Sequence, residues 1–423
     1  METYKEYLIE KRRKFHKIPE AGFMEIETTV EIIKELKKLG FKNIKYGRSI
    51  HHERLGVPDE ESIKAHLRES HINADFDIKE IEEGYTGLIA EYDSGISGPK
   101  FGFRFDIDGL ALEETKNKDH IPNKFAFNSK NEDFMHACGH DGHISIGLAL
   151  AKYIISKKNL IGSYRFIFQG AEEGVRGGKS MADAGCAENL DYFFSSHLGM
   201  GFKTGEIGFG SVGFFATKKF DIDFIGKSSH ASGAPEQGRS ALLAAASLAL
   251  VLNSLTQYSR GATRVNVGVL NSGTERNIVP EHAHMELEIR AEYQALLDDM
   301  ESRVLKALEG TSIAFEVKNQ IRLMGTSIAY NYIDEDFFED LKNYLTSLGY
   351  NLILKPKFKA SEDVSSMLKR VAEKGGKSLH FIIGSDLKSN HHTNSFDFDE
   401  NSLYIGFQFY KDIIDYLNIK YKQ

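Results

Sequence analysis

Residues 136–143 read HACGHDGH and hold three histidines, one cysteine and one aspartate. Imidazole nitrogen, thiolate and carboxylate are the groups with which proteins bind zinc and, less selectively, manganese. A lone residue of any of these types is more often structural, as a polar loop residue or a small buried cysteine. Burying so many titratable groups together is unfavourable unless a cation offsets their charge. The segment therefore predicts part of a metal site, and further ligands must come from other parts of the chain.

Length, composition and charge are typical of a soluble enzyme. The chain has 423 residues, enough for a large core and two domains. Acidic and basic residues are interspersed at a formal net charge of -8, which argues against a nucleic-acid-binding surface. Residues 1–16 contain no apolar leader segment, and no stretch is long and apolar enough for a transmembrane helix. We therefore expect a cytoplasmic protein with neither nucleic-acid nor membrane partners.

The first 84 residues predict helices and a surface excursion. Apolar residues recur with a helical period over two stretches, 4–15 and 30–39. Residues 48–84 are charged and lack a strong period, which predicts an excursion with one short helix near 59–69. We expect the histidines of this excursion, His51 and His52, to be solvated rather than functional.

From residue 85 onward, short β-rich runs alternate with helical patterns, as in a parallel sheet built from crossover units. The four runs that matter for function are 100–105, 164–168, 192–196 and 380–383. The carboxylates and imidazoles that follow them are Asp106 and Asp108, Glu172 and Glu173, His197, and His391 with His392. Ligands of open α/β sheets bind at the carboxyl ends of the strands. The four runs and the 136–143 segment therefore predict a single polar pocket at that edge.

A differently organised block lies between the third and fourth of these runs. Its predicted elements are a strand at 217–225, a helix at 240–255, strands at 263–270 and 283–291, a helix at 296–308 and a strand at 312–317. This βαββαβ order is ferredoxin-like. We therefore predict an α+β domain over 215–324. It is inserted into an α/β domain of 1–214 and 325–423, which has a mixed, largely parallel sheet with flanking helices.

Segments spread over nearly the whole chain resemble the M20 peptidase family of metal-dependent amidohydrolases. In chain order they are Phe15–Gly22, Arg104–Leu110, Met135–His143, Phe168–Gly174, Ser196 with His197, the Gly226–Pro235 segment around His230, and Asn277–Pro280. Within the family, the resemblance is strongest to one subunit of the p-aminobenzoyl-glutamate hydrolases. The segments that carry this finer resemblance are Met135–Leu148, Gly261–Val269, Ser361–Asp363 and His391–Glu400. The resemblance implies a zinc-exopeptidase-like catalytic domain and an inserted domain that serves as a lid and in dimerisation.

The family resemblance also implies two divalent metal ions per subunit, manganese or zinc. Their protein ligands would be Cys138, His140, Glu173, His197 and His392. Glu172 would act as the general base beside a metal-bound hydroxide that attacks the scissile carbonyl. The alternative for the pair Glu172 and Glu173 is a solvated helix start, and the presence of His197 and the 136–143 segment argues against it. Of the adjacent His391 and His392, the second matches the family's ligand position. A shift by one residue, which would make His391 the ligand, stays open.

Other polar residues of these segments are expected to support the ligands rather than to bind metal. The residues that would fix imidazole tautomers and helix starts are Asp106, Asp108, His136, Asp141 and His143. Asp141 could instead be only the N-cap of a helix over 142–155. His16 and Arg104 could be packing residues.

The inserted domain would complete the site. The resemblance implies that His230 and Asn277 reach a neighbouring subunit's site and polarise the scissile carbonyl, as an oxyanion hole does. Arg290 would hold the substrate's carboxylate with its planar guanidinium. Each of the three has an ordinary alternative as a loop, turn or exposed strand residue. If the implied roles hold, the protein is at least a homodimer, and the alternative is a heteromer that contains a related subunit.

The expected reaction is hydrolysis of the amide bond of an N-acyl amino acid, and the favoured substrate is p-aminobenzoyl-glutamate, cleaved to p-aminobenzoate and glutamate. Fold and family do not fix a substrate, so a broader aminoacylase or dipeptidase is the first alternative. A second is a non-catalytic partner subunit that retains the fold, although the intact ligand set argues against it. A third makes Cys138 a nucleophile with His140 as its base. EDTA separates these mechanisms, because chelation stops a metal enzyme and spares a thiol enzyme.

Overall fold

The computed structural model describes residues 3–70 and 72–422. Its strands are β1 (Asn43–Tyr46), β2 (Leu88–Asp93), β3 (Lys100–Asp106), β4 (Ser163–Gln169), β5 (Tyr192–Leu198), β6 (Glu206–Phe209), β7 (Ala216–Ile225), β8 (Thr263–Ser272), β9 (His282–Ala291), β10 (Lys318–Ser327), β11 (Asn351–Leu354) and β12 (Lys377–Ile383). Its α-helices are α1 (Tyr4–His16), α2 (Ile26–Leu39), α3 (Glu60–Glu69), α4 (Lys79–Glu82), α5 (Ile121–Lys124), α6 (His140–Ser156), α7 (Gly177–Asp183), α8 (Ala241–Asn253), α9 (Gln294–Ala314), α10 (Glu335–Ser347), α11 (Ser365–Glu373) and α12 (Asn401–Lys422). No helix in the two described ranges has the length and apolarity needed to cross a membrane.

These elements form two compact units. The first unit contains Met1–Val212, Asn331–Phe358 and Asp363–Gln423, and the second contains Gly213–Tyr330 and Lys359–Glu362. An eight-stranded sheet forms the centre of the first unit, in the order β1-β2-β4-β3-β5-β12-β6-β11. Its central strands β4, β3, β5 and β12 run parallel to one another. They contain the four apolar runs that the sequence singled out, so the predicted mixed sheet with a parallel centre is confirmed.

The core of the first unit is aromatic. On β3, Phe101, Phe103 and Phe105 are at most 1% exposed, and their rings lie against aromatic rings of β4 and β5. Tyr410 of α12 packs over two of these rings, and Gly147 lets α6 approach the same layer closely. Each buried phenylalanine contributes about 1.5–3 kcal/mol. This packing makes the sheet a rigid base for the loops at its carboxyl edge.

The helices predicted for the first 84 residues are confirmed as α1, α2 and α3. The helix α2 ends at Gly40, whose φ of 106° is the left-handed conformation that favours glycine after a helix. The expectation that His51 is solvated is wrong. Its ring nitrogens lie 2.8 Å from the backbone oxygen of Thr86 and 3.2 Å from the hydroxyl of Ser180. The excursion therefore packs back onto α7 rather than extending into solvent.

The second unit has the element order β7-α8-β8-β9-α9-β10 and an antiparallel sheet in the order β10-β7-β9-β8. The strand predicted at 312–317 is wrong, because α9 continues to Ala314 and β10 begins at Lys318. Leu308, Thr311 and Ser312 extend the buried stripe of α9 with a helical period. The strand β10 consequently runs to Ser327, past the predicted domain end at 324.

Candidate metal centre

The carboxyl ends of the parallel strands bring several loops to one edge of the sheet. The last residue of β3, Asp106, lies opposite Gln169 at the end of β4. His197, near the end of β5, lies opposite Ile382 of β12. The residues that follow these strands in the chain therefore start from neighbouring positions, as in other open α/β sheets.

The 136–143 segment turns into α6 at Gly139. This glycine has a φ of 88°, a left-handed conformation, and α6 begins with the next residue, His140. The fully buried His140 donates from Nδ1 to the backbone oxygen of Asp108 at 2.8 Å. Its Nε2 has no hydrogen-bond partner among residues 3–70 and 72–422. A buried nitrogen of this kind is unfavourable unless it has a ligand, and imidazole nitrogen is a common metal ligand.

Six donor residues converge around His140. The overlapping groups, in each of which all ligand atoms lie within 4.8 Å of one another, are Cys138, His140 and His197; Cys138, Glu173 and His392; and His140, Glu172 and Glu173. The sulfur of Cys138 lies 3.4 Å from Nε2 of His197. Oε1 of Glu173 lies 3.2 Å from Nε2 of His392. The structure thus gathers the five residues expected to bind metal and the expected base, Glu172, in one cluster.

Hydrogen bonds to the backbone set the orientation of the imidazoles. His197 donates from Nδ1 to the oxygen of Leu198 at 2.9 Å, which leaves Nε2 facing Cys138. His143 donates from Nδ1 to Asp106, and its Nε2 accepts from the backbone nitrogen of Leu198 at 2.9 Å. Both nitrogens of His143 are therefore used within the protein, as befits a residue that supports a neighbouring ligand. His136, by contrast, is buried with no hydrogen-bond partner for either ring nitrogen among the described residues.

The environments of the adjacent histidines His391 and His392 differ. The ring of His391 donates from Nε2 to the oxygen of Leu198 at 3.1 Å, and His391 is in none of the donor groups found among the described residues. His392 has a φ of 62°, and its backbone nitrogen donates to the oxygen of Ala137 at 2.9 Å. This bond attaches the His392 loop to the 136–143 segment, with the ring beside Glu173. Of the two, His392 alone belongs to a donor group within the described part of the chain, together with Cys138 and Glu173.

The charges around the cluster favour a cation. Burial alone would lower the pKa of His140, but Asp106, Asp108 and Glu173 outweigh it and raise the pKa to about 10. Burial and the charge of Asp108 raise the pKa of Glu25 to about 8. The shift of the His140 pKa means that positive charge is stabilised at this position, and the shift of Glu25 means that a further buried negative charge is disfavoured. Thiolate, imidazole and carboxylate donors in such a setting fit divalent zinc or manganese.

A buried ionic network supports the start of α6. Asp141 accepts from Arg12 at 2.9 Å and from His16 at 2.8 Å, so it is more than a helix cap and His16 is more than packing. Arg12 also donates to Asp397 at 2.6 Å and to Glu400 at 3.2 Å. The sequence offers no signal for this role of Arg12, because it lies within the charged run Lys-Arg-Arg-Lys of α1.

In the second unit, His230 and Asn277 are neighbours and Arg290 lies apart from them. The backbone nitrogen of Ala231 donates to the oxygen of Asn277 at 2.9 Å. Arg290 lies opposite the start of β7, whereas His230 follows the end of β7. The ends of a ten-residue strand such as β9 lie about 30 Å apart at about 3.3 Å per residue. The guanidinium of Arg290 is bound by Glu288 through two hydrogen bonds of 2.9 and 3.0 Å.

A largely parallel sheet with thiolate, imidazole and carboxylate donors gathered at its carboxyl edge is typical of a metal-dependent hydrolase. The sequence pattern of peptidase family M20/M25/M40 matches residues 102–416, and the chain belongs to this family. It is therefore an enzyme of the metal-dependent amidohydrolase class, as the sequence predicts.

Two named relatives and one solved structure are similar to this chain over nearly its full length. The chain is 38% identical over 415 residues to a Haemophilus influenzae homolog of one subunit of p-aminobenzoyl-glutamate hydrolase, covering 97% of this chain and 98% of the relative. It is 36% identical over 407 residues to the indole-3-acetyl-aspartic acid hydrolase of Enterobacter agglomerans, covering 93% and 92%. The crystal structure of an aminobenzoyl-glutamate utilization protein from Klebsiella pneumoniae superposes with a TM-score of 0.77 at 31% identity, covering 96% of this chain and 95% of that chain. The predicted resemblance to the p-aminobenzoyl-glutamate hydrolase subunit is confirmed.

Proposed function

We propose that this chain hydrolyses the amide bond between an aromatic acyl group and an acidic amino acid, with p-aminobenzoyl-glutamate as its substrate. The observation that carries the proposal is the cluster of Cys138, His140, Glu173, His197 and His392 with Glu172 at its side. The two named relatives support the substrate class, because each is named for an amide conjugate of glutamate or aspartate. An aromatic ring in the acyl group and a carboxylate on the amino-acid side chain are the features that these two compounds share.

Each residue of the cluster has a defined task in this reaction. The five ligands would hold two divalent cations, manganese or zinc, which supply Lewis acidity and lower the pKa of water. Glu172, only 7% exposed, takes a proton from that water and returns it to the leaving amine nitrogen. The backbone nitrogen of Glu173 donates to Asp108 at 2.8 Å. This bond fixes the backbone of Glu173, whose side chain serves as a metal ligand in the proposal. One turn of the chain thus provides both a base and a ligand.

The second unit serves in this proposal as a lid and dimerisation domain, and the first as the catalytic domain. Nδ1 of His230 accepts from the backbone of Gly233 at 3.0 Å, so the ring carries a proton on Nε2 and can donate to a carbonyl oxygen. His230 and Asn277 act on substrate bound to a partner subunit, whereas Arg290, at the other end of β9, holds the substrate's carboxylate.

Substrate preference distinguishes this proposal from a broader aminoacylase. We expect kcat/KM for p-aminobenzoyl-glutamate to exceed that for p-aminobenzoyl-leucine at least about tenfold. Only the glutamate conjugate has a side-chain carboxylate for Arg290 to hold, and a hydrogen bond to a charged group contributes about 1.5–3 kcal/mol. Release of p-aminobenzoate, measured by chromatography, gives both rates. The variant Arg290→Ala should reduce the ratio. Arg264→Ala, which removes the exposed arginine opposite Arg290 on β8, should leave it unchanged.

Other results of the same assay would contradict the proposal. Equal rates on both substrates would favour a broader aminoacylase, and no cleavage by the metal-loaded protein would favour a non-catalytic subunit. EDTA should abolish cleavage, and Mn²⁺ or Zn²⁺ should restore it. Activity that survives EDTA would instead favour Cys138 as a nucleophile.

We propose a homodimer formed by the second unit. The strand β8 is at the edge of its sheet, and the neighbouring helix α8 exposes a row of apolar side chains. Leu243 is 55% exposed and Leu250 is 76% exposed, and they are two helical turns apart on one face. An open strand edge beside an apolar helix face suits antiparallel pairing with a second copy about a twofold axis.

Substituting this helix face should produce monomers. We expect Leu243→Glu with Leu250→Glu to convert the dimer to a monomer in light scattering, because two buried charges without partners disfavour the interface. Ile313→Glu on α9, where the side chain is 70% exposed, is the matched control and should remain dimeric. A wild-type chain that is monomeric alone and associates only with a related subunit would replace the homodimer with a heteromer.

A further inference from the structure

The turn that carries Glu172 and Glu173 is tightly wound. Ala171 and Val175 have left-handed φ values of 54° and 56°, which persist in residues other than glycine only when the surroundings enforce them. The nitrogen of Val175 donates to the oxygen of Glu172 at 2.7 Å, and that of Gly177 donates to the oxygen of Ala171 at 2.8 Å. These internal bonds fix the shape of the turn. Its orientation depends on what holds its two ends.

Buried carboxyl groups accept hydrogen bonds from the backbone nitrogens of this turn. The pairs are Glu25 with Ala171 at 2.5 Å, Asp108 with Glu173 at 2.8 Å and Asp363 with Gly178 at 2.6 Å. Asp363 differs from the other two because it also bonds to the residue that precedes the turn. The side-chain nitrogen of Gln169, the last residue of β4, donates to both oxygens of Asp363 at 2.8 and 3.0 Å. A single carboxylate thus joins the end of β4 to the start of α7.

The contact between Asp363 and the turn requires a glycine. A Cβ placed on Gly178 would lie 2.6 Å from both Cγ and the backbone oxygen of Asp363, too close for any other residue unless Asp363 moves as a whole. Asp363 is fully buried, and Arg104 donates to it at 2.9 Å. With bonds from Arg104, Gln169 and Gly178, all four acceptor positions of the carboxylate are used. Asp363 therefore holds the turn rather than binding a cation itself.

We propose that Asp363 is a positioning residue that sets the direction of Glu172 and Glu173 by accepting hydrogen bonds from both ends of their turn. Arg104, which also donates to Asp106 at 2.7 Å and to Gln169 at 2.8 Å, fixes the carboxylate in place and is not merely a packing residue. The inference rests on the proposed function, because it assigns Glu173 as a ligand and Glu172 as a base. Loss of the hydrogen bonds from Gln169 and Gly178 to Asp363 displaces both glutamates while the rest of the donor cluster is retained.

The variant Asp363→Asn tests this inference. It should lower kcat about ten- to a hundredfold, with KM unchanged, as expected when a residue behind a metal site is altered. The second readout does not depend on activity. The EDTA-treated full chain, titrated with Mn²⁺, should bind the metal about ten- to a hundredfold more weakly in the variant than in the wild type.

One further variant separates positioning from a general loss of stability. Gly178→Ala changes no ionisable group and should show the same decrease in Mn²⁺ affinity, because its methyl group pushes Asp363 away from the turn.

Matched controls alter similar residues elsewhere. Glu35→Gln removes another buried carboxylate, one that bonds to Lys11 at 3.0 Å and to Tyr7 at 2.9 Å, and should lower the melting temperature without changing Mn²⁺ affinity. Gly310→Ala adds a methyl group that meets no other element, and it should leave Mn²⁺ affinity unchanged while raising the melting temperature slightly, because alanine favours the helix α9 more than glycine does.

The two readouts keep the inference separate from the proposed function. Wild-type Mn²⁺ affinity and kcat in folded Asp363→Asn would overturn the role of Asp363. Wild-type Mn²⁺ affinity in folded Gly178→Ala would do the same. If the wild type cleaves no amide, the proposed function fails, and the Mn²⁺ titration alone decides whether Asp363 positions the turn.

Discussion

Replacing Glu172 with glutamine should lower kcat on p-aminobenzoyl-glutamate at least about a hundredfold, the effect expected when a general base is removed. The substitution keeps the shape of the side chain and removes only its ability to take up a proton. Metal analysis of the purified variant should show the same metal content as the wild type. Glu172 lies beside His140 and Glu173 but outside the groups that contain Cys138, so the ligand set persists without it.

The neighbouring variant Glu173→Gln is the matched comparison. The two substitutions are chemically identical and one residue apart in the same turn, so differences between them report roles rather than general damage. We expect Glu173→Gln to lose metal as well as activity, because Oε1 of Glu173 lies 3.2 Å from Nε2 of His392 within the donor cluster. Full activity in Glu172→Gln would refute the assignment of the base. Loss of metal from it would identify Glu172 as a ligand instead.

Local patterns in the sequence predict much of the fold and the donor cluster. The central strands are recognisable because parallel strands are covered on both faces and therefore read as short, continuous apolar runs. Their carboxyl ends share one edge of the sheet, so His197 and the pair Glu172 and Glu173 could be placed together without coordinates. Choosing between His391 and His392 required the structure. The backbone of His392 is bonded to Ala137, and this places the His392 ring beside Glu173.

Residues that act through distant partners could not be predicted in this way. Asp363 lies 185 positions from Gly178 in the chain, and Arg12 lies 385 positions from Asp397. A charged residue in a polar stretch is by default assigned to the surface, and its burial becomes visible only when such partners meet. The end of α9 was mispredicted for a related reason, since the burial of Thr311 and Ser312 extends the helix beyond its apolar stripe.

Arg12 is the residue whose loss should destabilise the fold most. Its fully buried guanidinium binds Asp141, Asp397 and Glu400. We expect Arg12→Met to lower the free energy of unfolding by about 3–5 kcal/mol at neutral pH, because removing one partner leaves buried charges uncompensated. Urea unfolding followed by circular dichroism measures the change. The adjacent Arg13→Met is the control, because Arg13 also bonds to Glu400 but is about one-third exposed, and exposed ion pairs contribute at most about 1 kcal/mol.

The pH dependence of this loss identifies its origin. Burial alone would raise the pKa of Asp141, but Arg12 and His16 outweigh it and lower the pKa below the usual value for aspartate. A carboxyl group with a depressed pKa stabilises the folded state above its unfolded pKa of about 3.9, and this stability is lost as the pH falls toward the folded value. Wild type and Arg12→Met should therefore differ most near neutral pH and converge below about pH 4. A difference that stays constant with pH would mean that Arg12 contributes through its packing against Phe127 and Phe398 rather than through its charge.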